Sequence, residues 1–273
     1  MGIPYAEVIG DPIAHSKSPL IHRFWLEKLR IEGDYRAVRV TAEDLPAYFR
    51  SRCSDPDWRG CNVTMPHKEA AIPLLDHADD PVVNCVTLEA GSLVGFNSDY
   101  DGVDEAVEHW GFCPDGARVC IIGAGGAAWA AVESLDLRCY GDFDIVVRDP
   151  VKGEAFLEKC QTGGRVFSID DAEEAMAGRY AIINASPLGM IGHRAMPDTV
   201  LRGLARMWGE GYAFDMVTAP LQTPFLARAR SVGLCATDGL SMLIGQARAA
   251  FHAFFGEFPP WELDGQLRRR LKP

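Results

Sequence analysis

Apolar residues in this chain recur in short runs that stop at glycine or proline, and the runs alternate with segments of helical spacing. Ala6-Glu7-Val8-Ile9-Gly10 predicts a strand ending in a turn. Ser18-Pro19 predicts a helix start, with serine as cap and proline in the first turn, running to about Leu29. Tyr35 to Val40 alternates as a strand, and Leu45 to Arg52 reads as a helix. Gly60-Cys61-Asn62-Val63 is a short strand whose extension breaks at Pro66, after which Lys68 opens a helix to about Leu75. Val82 to Leu88 and Leu93 to Phe96 read as two strands turned at Gly91, followed by a helix over Val103 to Trp110. Gly111 to Gly116 is a loop and the expected domain boundary.

Beyond that loop the pattern sharpens. Val119-Cys120-Ile121-Ile122 runs into Gly123-Ala124-Gly125-Gly126, then into an alanine-rich helical segment from Ala127 to Leu137. The order strand, tight turn, helix lets a backbone approach a pyrophosphate, and the helix aims its free N–H groups at the negative charge. Only Gly126, Ala127 and Ala128 occupy the helix start, so helix and strand can pack closely. The competing reading is an ordinary turn whose glycines serve packing alone. Phe143 to Val147, Tyr180 to Asn184 and Tyr212 to Val217 are further buried-type strands. Thr223-Pro224 starts a helix to about Val232, and Gly239 starts the last long one, to about Phe255.

Composition narrows the function. A chain of 273 residues, 48% hydrophobic and 24% charged, suits two soluble domains. A net charge of −11 argues against a nucleic-acid surface, though it leaves room for a few basic residues around a small anion. No apolar run approaches the roughly 20 residues of a membrane span. Met1 to Ala6 has no signal-peptide pattern, and Gly2 lacks the hydroxyl residue that myristoylation expects. The eight cysteines are scattered, with no ligand spacing, so no metal is expected; reduced thiols in the cytoplasm are.

Candidate chemistry sits in the polar loops. Ser16 and Ser18, after a strand and before a helix, are placed to grip a polyhydroxylated ligand, unless one is merely a cap. Asn62, Thr64 and Lys68 offer an amide, a hydroxyl and an ammonium to one pocket. Asn84 puts an amide inside a strand, and Gln246 faces either a ligand or solvent. His15 and His22 read as structural or exposed. Asp99, in Asn97-Ser98-Asp99, is either helix capping or a carboxylate that orients a lysine for proton transfer. Arg148, Asp149 and Lys152 stand where a dinucleotide fold tests the adenosine ribose. Two bases against one acid favour NADP, with NAD as the alternative.

These motifs, in this order, resemble the shikimate dehydrogenase family over nearly the whole chain. The resemblance rests on residues 8–19 (VIGDPIAHSKSP), 62–68 (NVTMPHK), Asn97-Ser98-Asp99, the glycine turn at 123–126, residues 184–190 (NASPLGM), and Met242-Leu243 with Gln246. It implies an α/β chain with an N-terminal substrate domain and a Rossmann-type, doubly wound dinucleotide-binding domain, with a cleft between them. Residues 1–102 would form the first domain, completed by a C-terminal helix over 240–273, and residues 103–239 the second. The implied activity is the NADP-dependent, reversible reduction of 3-dehydroshikimate to shikimate, in chorismate and aromatic amino acid biosynthesis, by a cytoplasmic monomer or homodimer. Carried over by position, Lys68 would transfer the proton with Asp99 as partner. Ser16, Ser18, Thr64, Asn84 and Gln246 would bind substrate, with Asn62 beside them. Gly123, Ala124, Gly125, Gly126 and Ala127 would hold the pyrophosphate, and Arg148 and Lys152 the 2′-phosphate. Ser186, Met216 and Gly239 would line the nicotinamide end. Asp149, Thr218 and Cys85 depart from the family's usual Thr, Tyr and Thr, and Arg23 from its Asn. These departures keep a quinate or NAD-preferring relative as the alternative enzyme, and a silent cofactor-binding sensor as the alternative outside enzymes.

Overall fold

The computed structural model describes residues 2–78, 80–110, 117–138 and 140–272. The loop and boundary expected at Gly111 to Gly116 lie outside the described residues. Contacts divide the chain into one unit of Met1–Ser98 with Gln246–Pro273 and a second of Asp99–Gly245. The first division falls a few residues before the expected 102/103 break, the second a few after 239/240.

The first unit runs β1 (Tyr5–Gly10), α1 (Ser18–Leu29), β2 (Asp34–Arg39), α2 (Leu45–Arg52), β3 (Trp58–Val63), β4 (His77–Ala78), β5 (Cys85–Glu89) and β6 (Ser92–Phe96). Its six strands form one sheet ordered β2-β1-β3-β5-β6-β4. β1 is buried throughout and parallel to both neighbours, whereas β5 runs antiparallel to β3 and β6. Because β1 and β3 are parallel, their carboxyl ends share one edge. There Thr64 N donates to Ile9 O at 3.0 Å and Asp11 N to Met65 O at 3.2 Å, so the two polar loops lie side by side.

Two local expectations are corrected here. No α-helix starts at Lys68; the segment makes turns and a single 3-10 turn, Ile72–Leu74. Pro73 lacks the N–H that an α-helix would use and disfavours helical backbone at Ile72. The strand expected from Val82 starts at Cys85: Val83 N donates to Lys68 O on the preceding loop, and bonding to β6 begins with Asn84 N, which donates to Phe96 O.

The second unit runs α3 (Asp99–Val107), β7 (Val119–Ile122), α4 (Gly126–Leu137), β8 (Phe143–Val147), α5 (Pro150–Cys160), β9 (Val166–Ser168), α6 (Ala172–Met176), β10 (Ala181–Asn184), α7 (Asp198–Gly203), β11 (Tyr212–Asp215), α8 (Pro224–Ser231) and β12 (Cys235–Thr237). Its sheet is wholly parallel, ordered β12-β11-β10-β7-β8-β9. Successive residues of β7 enter opposite cores, Val119 and Ile121 on one face and Cys120 and Ile122 on the other. A strand covered on both faces reads as a continuous apolar run, which is why this segment stood out. The chain moves outward from β7 through β8 to β9, then restarts beside β7 at β10. The reversal leaves a crevice at the carboxyl ends of β7 and β10, the position where doubly wound sheets bind ligands.

The C-terminal stretch 240–273 is not one helix. α9 (Gly239–Phe255) stops at Gly256, whose φ is +80°, and Pro259-Pro260 precede a 3-10 turn and α10 (Asp264–Leu271). A residue before proline is biased to extended backbone, so the pair cannot continue a helix.

Candidate active site

In the second unit a cavity of about 960 Å³ opens where β7, β8 and β10 end. Gly123, Ala124 and Gly125 form its floor. Gly123 has φ +113°, and a Cβ there would lie 3.0 Å from Ala185 O, so a side chain would meet the neighbouring loop's backbone. Gly125 caps α4 without a side-chain hydrogen bond. The first N–H groups of α4 therefore have no side-chain acceptor from the cap and present partial positive charge, the arrangement that binds phosphate. Gly126 and Ala127 form the first turn behind this floor and do not line the cavity.

Arg148, Asp149 and Lys152 form a second wall. Asp149 is the N-cap of α5 in extended backbone; its carbonyl accepts from Lys152 N and Gly153 N, while its carboxylate makes no cap bond. Across the cavity stand His193 and Arg194, on the loop after β10. The sequence reading missed these two. The available signal was a His-Arg pair next to Gly192, downstream of the NASPLGM turn. Three permanent cations, Arg148, Lys152 and Arg194, line the cavity with one carboxylate, and among the described residues none of the three is ion-paired. The cavity therefore favours a polyanion.

The wall after β10 is held by a buried network. Asn184 Oδ1 accepts from Ser186 Oγ at 2.6 Å and Ser186 N at 3.2 Å. Its Nδ2 donates to Leu188 O at 3.1 Å and to Asp215 Oδ1 at 2.9 Å. Asp215 also accepts from Thr223 Oγ1 at 2.5 Å and Val217 N at 3.1 Å. Burial pushes the Asp215 carboxyl up, and these donors oppose that rise. Met216 and Gly239 lie apart from the cavity lining but touch each other: a Cβ on Gly239 would come within 2.6 Å of Met216 O. Asp99 is a buried residue opening α3 of this unit.

In the first unit, the structure gathers Ser16, Ser18, Asn62 and Asn84. Ser18 is not the helix cap. Lys17 holds that position, and Ser18 N instead donates to Ser16 Oγ at 3.3 Å. Ser18 lies near the phenol of Tyr35 without a hydrogen bond to it. Tyr35 Oη donates to Asn62 Oδ1 at 2.5 Å, and Asn62 Nδ2 donates to Asn84 O at 3.3 Å and Cys85 Sγ at 2.9 Å. Cys85 Sγ then donates to Ser98 Oγ at 3.4 Å, and Ser98 N and Oγ both donate to Asn84 Oδ1. The thiol at position 85 thus links Asn62 to Ser98, and through Ser98 to Asn84. Thr64 and Lys68 are half-buried on the loop after β3, and Gln246 is half-buried on α9. Arg23 pairs with Asp34 at the surface, 3.0 Å away. The described residues hold no group of side chains suited to a metal ion.

Comparison with known proteins fits this geometry. A family profile described as the shikimate dehydrogenase substrate binding domain matches residues 8–86. A shikimate dehydrogenase (NADP(+)) from Sphingopyxis alaskensis is 42% identical over 274 residues, spanning 98% of this chain and 97% of that protein. This chain belongs to the shikimate dehydrogenase family. Among solved members, the Thermus thermophilus enzyme in complex with NADP(H) and shikimate is 32% identical with a TM-score of 0.84, covering 98% of this chain and 100% of that one. The Listeria monocytogenes shikimate dehydrogenase in complex with shikimate and NAD is 26% identical with a TM-score of 0.86, covering 98% and 96%. The expected α/β class, with a Rossmann-type second unit, is what the family and the all-parallel sheet show.

Proposed function

We infer that this protein is an NADP-dependent shikimate dehydrogenase, interconverting 3-dehydroshikimate and shikimate. The observation that carries the cofactor half is the cavity at the strand-order reversal, with a bare helix N-terminus on one side and three cations around it that have no ion-pair partner among the described residues. Gly123 to Gly125 would hold the pyrophosphate against α4. Arg148 and Lys152 would hold the 2′-phosphate. Bound there, the nicotinamide supplies or accepts a hydride equivalent.

The chain's own residues do the rest. Lys68 gives a proton to the substrate oxygen as the ketone is reduced and recovers it in the reverse direction. Asp99 is the carboxylate assigned to the same step, orienting the ammonium. Ser16, Ser18, Thr64, Asn84 and Gln246 hold the ring's hydroxyls and carboxylate, which fixes the reacting carbon and supplies orientation. The protein works in the cytoplasm, consistent with the six described cysteines all being free thiols. No helix among the described residues is long and apolar enough to cross a membrane.

One observation favours a second cofactor. Asp149 borders the cavity beside Arg148, and a carboxylate there accepts from a free ribose hydroxyl, so NAD is the alternative. The test follows nicotinamide absorbance with shikimate and quinate, each against NADP and NAD. Shikimate with NADP gives the highest kcat/KM. Binding without reduction would make the protein a sensor, and a quinate or NAD optimum would move it to the neighbouring specificity.

A further inference from the structure

Tyr35 belongs to none of the motifs that carry the family resemblance, yet it is the hub of the first unit's polar network. Its side chain is 0% exposed. The ring lies flat on His22, with centroids 3.9 Å apart and planes 8° from parallel, and packs against Phe254 on α9. Those contacts need only the ring, and a phenylalanine would fill the same volume. The hydroxyl has a separate task. It donates to Asn62 at the end of β3, a binding candidate on another strand.

The bonding capacity of Asn62 makes that contact decisive. Both of its amide hydrogens are used, by Asn84 O and Cys85 Sγ, and its oxygen is held by Tyr35. The orientation of the amide is therefore settled, because its two acceptors lie on one side and its donor on the other. The held amide acts on a second binding candidate: Cys85 Sγ, which accepts from Asn62, donates to Ser98 Oγ, and Ser98 N and Oγ both donate to Asn84 Oδ1. The Asn84 side chain is thereby oriented before substrate arrives.

We propose that Tyr35 is a positioning residue for substrate: its phenol fixes the Asn62 amide and, through Cys85 and Ser98, the Asn84 side chain in the orientation that binds the substrate's polar groups. The inference rests on the shikimate reading of this site. Tyr35 touches no substrate atom. It acts by removing rotational freedom from groups that do, so its loss weakens binding of the polyhydroxylated ligand and leaves the hydride step alone.

The test is Tyr35→Phe in the full chain, with shikimate and NADP steady-state kinetics and thermal melting. The expected result is a KM for shikimate raised about tenfold, the size of one lost hydrogen bond to a buried polar group. Turnover and the KM for NADP stay within about twofold, since neither depends on the orientation of the Asn84 amide. A second measurement separates positioning from packing. In an Asn84→Ala background, Tyr35→Phe raises the shikimate KM by much less than in the wild type, because the residue it acts through is gone. Three results overturn the proposal: an unchanged shikimate KM in a folded Tyr35→Phe, a loss of all kinetic parameters in step with stability, or fully additive effects in the double variant. Failure of the wild type to oxidise shikimate would instead sink the functional reading, and this inference with it.

Discussion

His22 offers a quantitative test of the first unit's core. The residue is 0% exposed, neither ring nitrogen has a hydrogen-bond partner, and its imidazole is enclosed by Tyr35, Trp25, Phe251 and Phe254. Burial alone lowers its pKa from 6.5 to about 3. A base held neutral in the folded state contributes stability that is fully present above the unfolded pKa and is lost as pH falls through 6.5 toward about 3. Between about pH 8 and about pH 5 the loss from this one group is about 2 kcal/mol. The assay is equilibrium denaturation at both pH values for the wild type, His22→Leu and His22→Gln. The variants start from different stabilities, but only the pH dependence matters, and subtraction cancels the other titrating groups. Each variant should lose about 2 kcal/mol less than the wild type over that interval. Equal losses in all three proteins would refute the reasoning, because they would mean that the folded state accommodates the imidazolium.

Other consequences reach the proposed chemistry. Lys68→Ala should lower kcat by about a hundredfold to ten-thousandfold, the usual worth of a positioned acid–base group, with little change in shikimate KM; wild-type turnover would remove Lys68 from the mechanism. Asp149→Thr removes an exposed carboxylate from a phosphate-binding wall. At water-like dielectric that repulsion is worth about 1 kcal/mol, so the KM for NADP should fall about fivefold, and the gain should shrink in high salt. An equal gain with NAD would show that the carboxylate does not sense the 2′-phosphate. Gly123→Val places a branched side chain at φ +113° against Ala185 O, with a strain of order 1–3 kcal/mol. NADP titration by intrinsic fluorescence should show weakened binding, and unchanged affinity in a folded variant would argue against close backbone approach at that turn.

What could be read from the chain and what could not follows from the range of the physics involved. The β7–α4 turn was legible because every signal in it is local: a continuous apolar run, a glycine needing positive φ, small residues at the helix start. The broken C-terminal stretch was legible in principle, since Pro259-Pro260 is a local breaker; the error came from treating the tail as one element. Ser18 misled because a Ser-Pro pair satisfies the local rule for a cap. Only the folded loop shows that Lys17 takes the cap position and that Ser18 N donates to Ser16 Oγ. His193 and Arg194 left only a weak local signal for a related reason. They line one cavity with Arg148 and Lys152 only because β10 returns beside β7, and no spacing rule along the chain encodes that return.

The two units share one construction at their strand ends. In each, a buried asparagine near the carboxyl end of a strand spends its amide on neighbouring segments. Asn62 is oriented by a donor on one side, the Tyr35 phenol, and by acceptors on the other, Asn84 O and Cys85 Sγ. Asn184 is oriented by Asp215 and Leu188 O, which accept, and by Ser186, which donates twice. An amide suits such a place because it carries a donor end and an acceptor end on one rigid plane. A carboxylate would repel Asp215 in the second unit and would have no hydrogen to give Asn84 O in the first. Buried in this way, Asn184 ties the fixed backbone of a strand to a hydroxyl two residues beyond it, and Asn62 ties β3 to Tyr35 of β2 and Cys85 of β5. That is how a loop residue such as Ser186 gains the rigidity of the sheet.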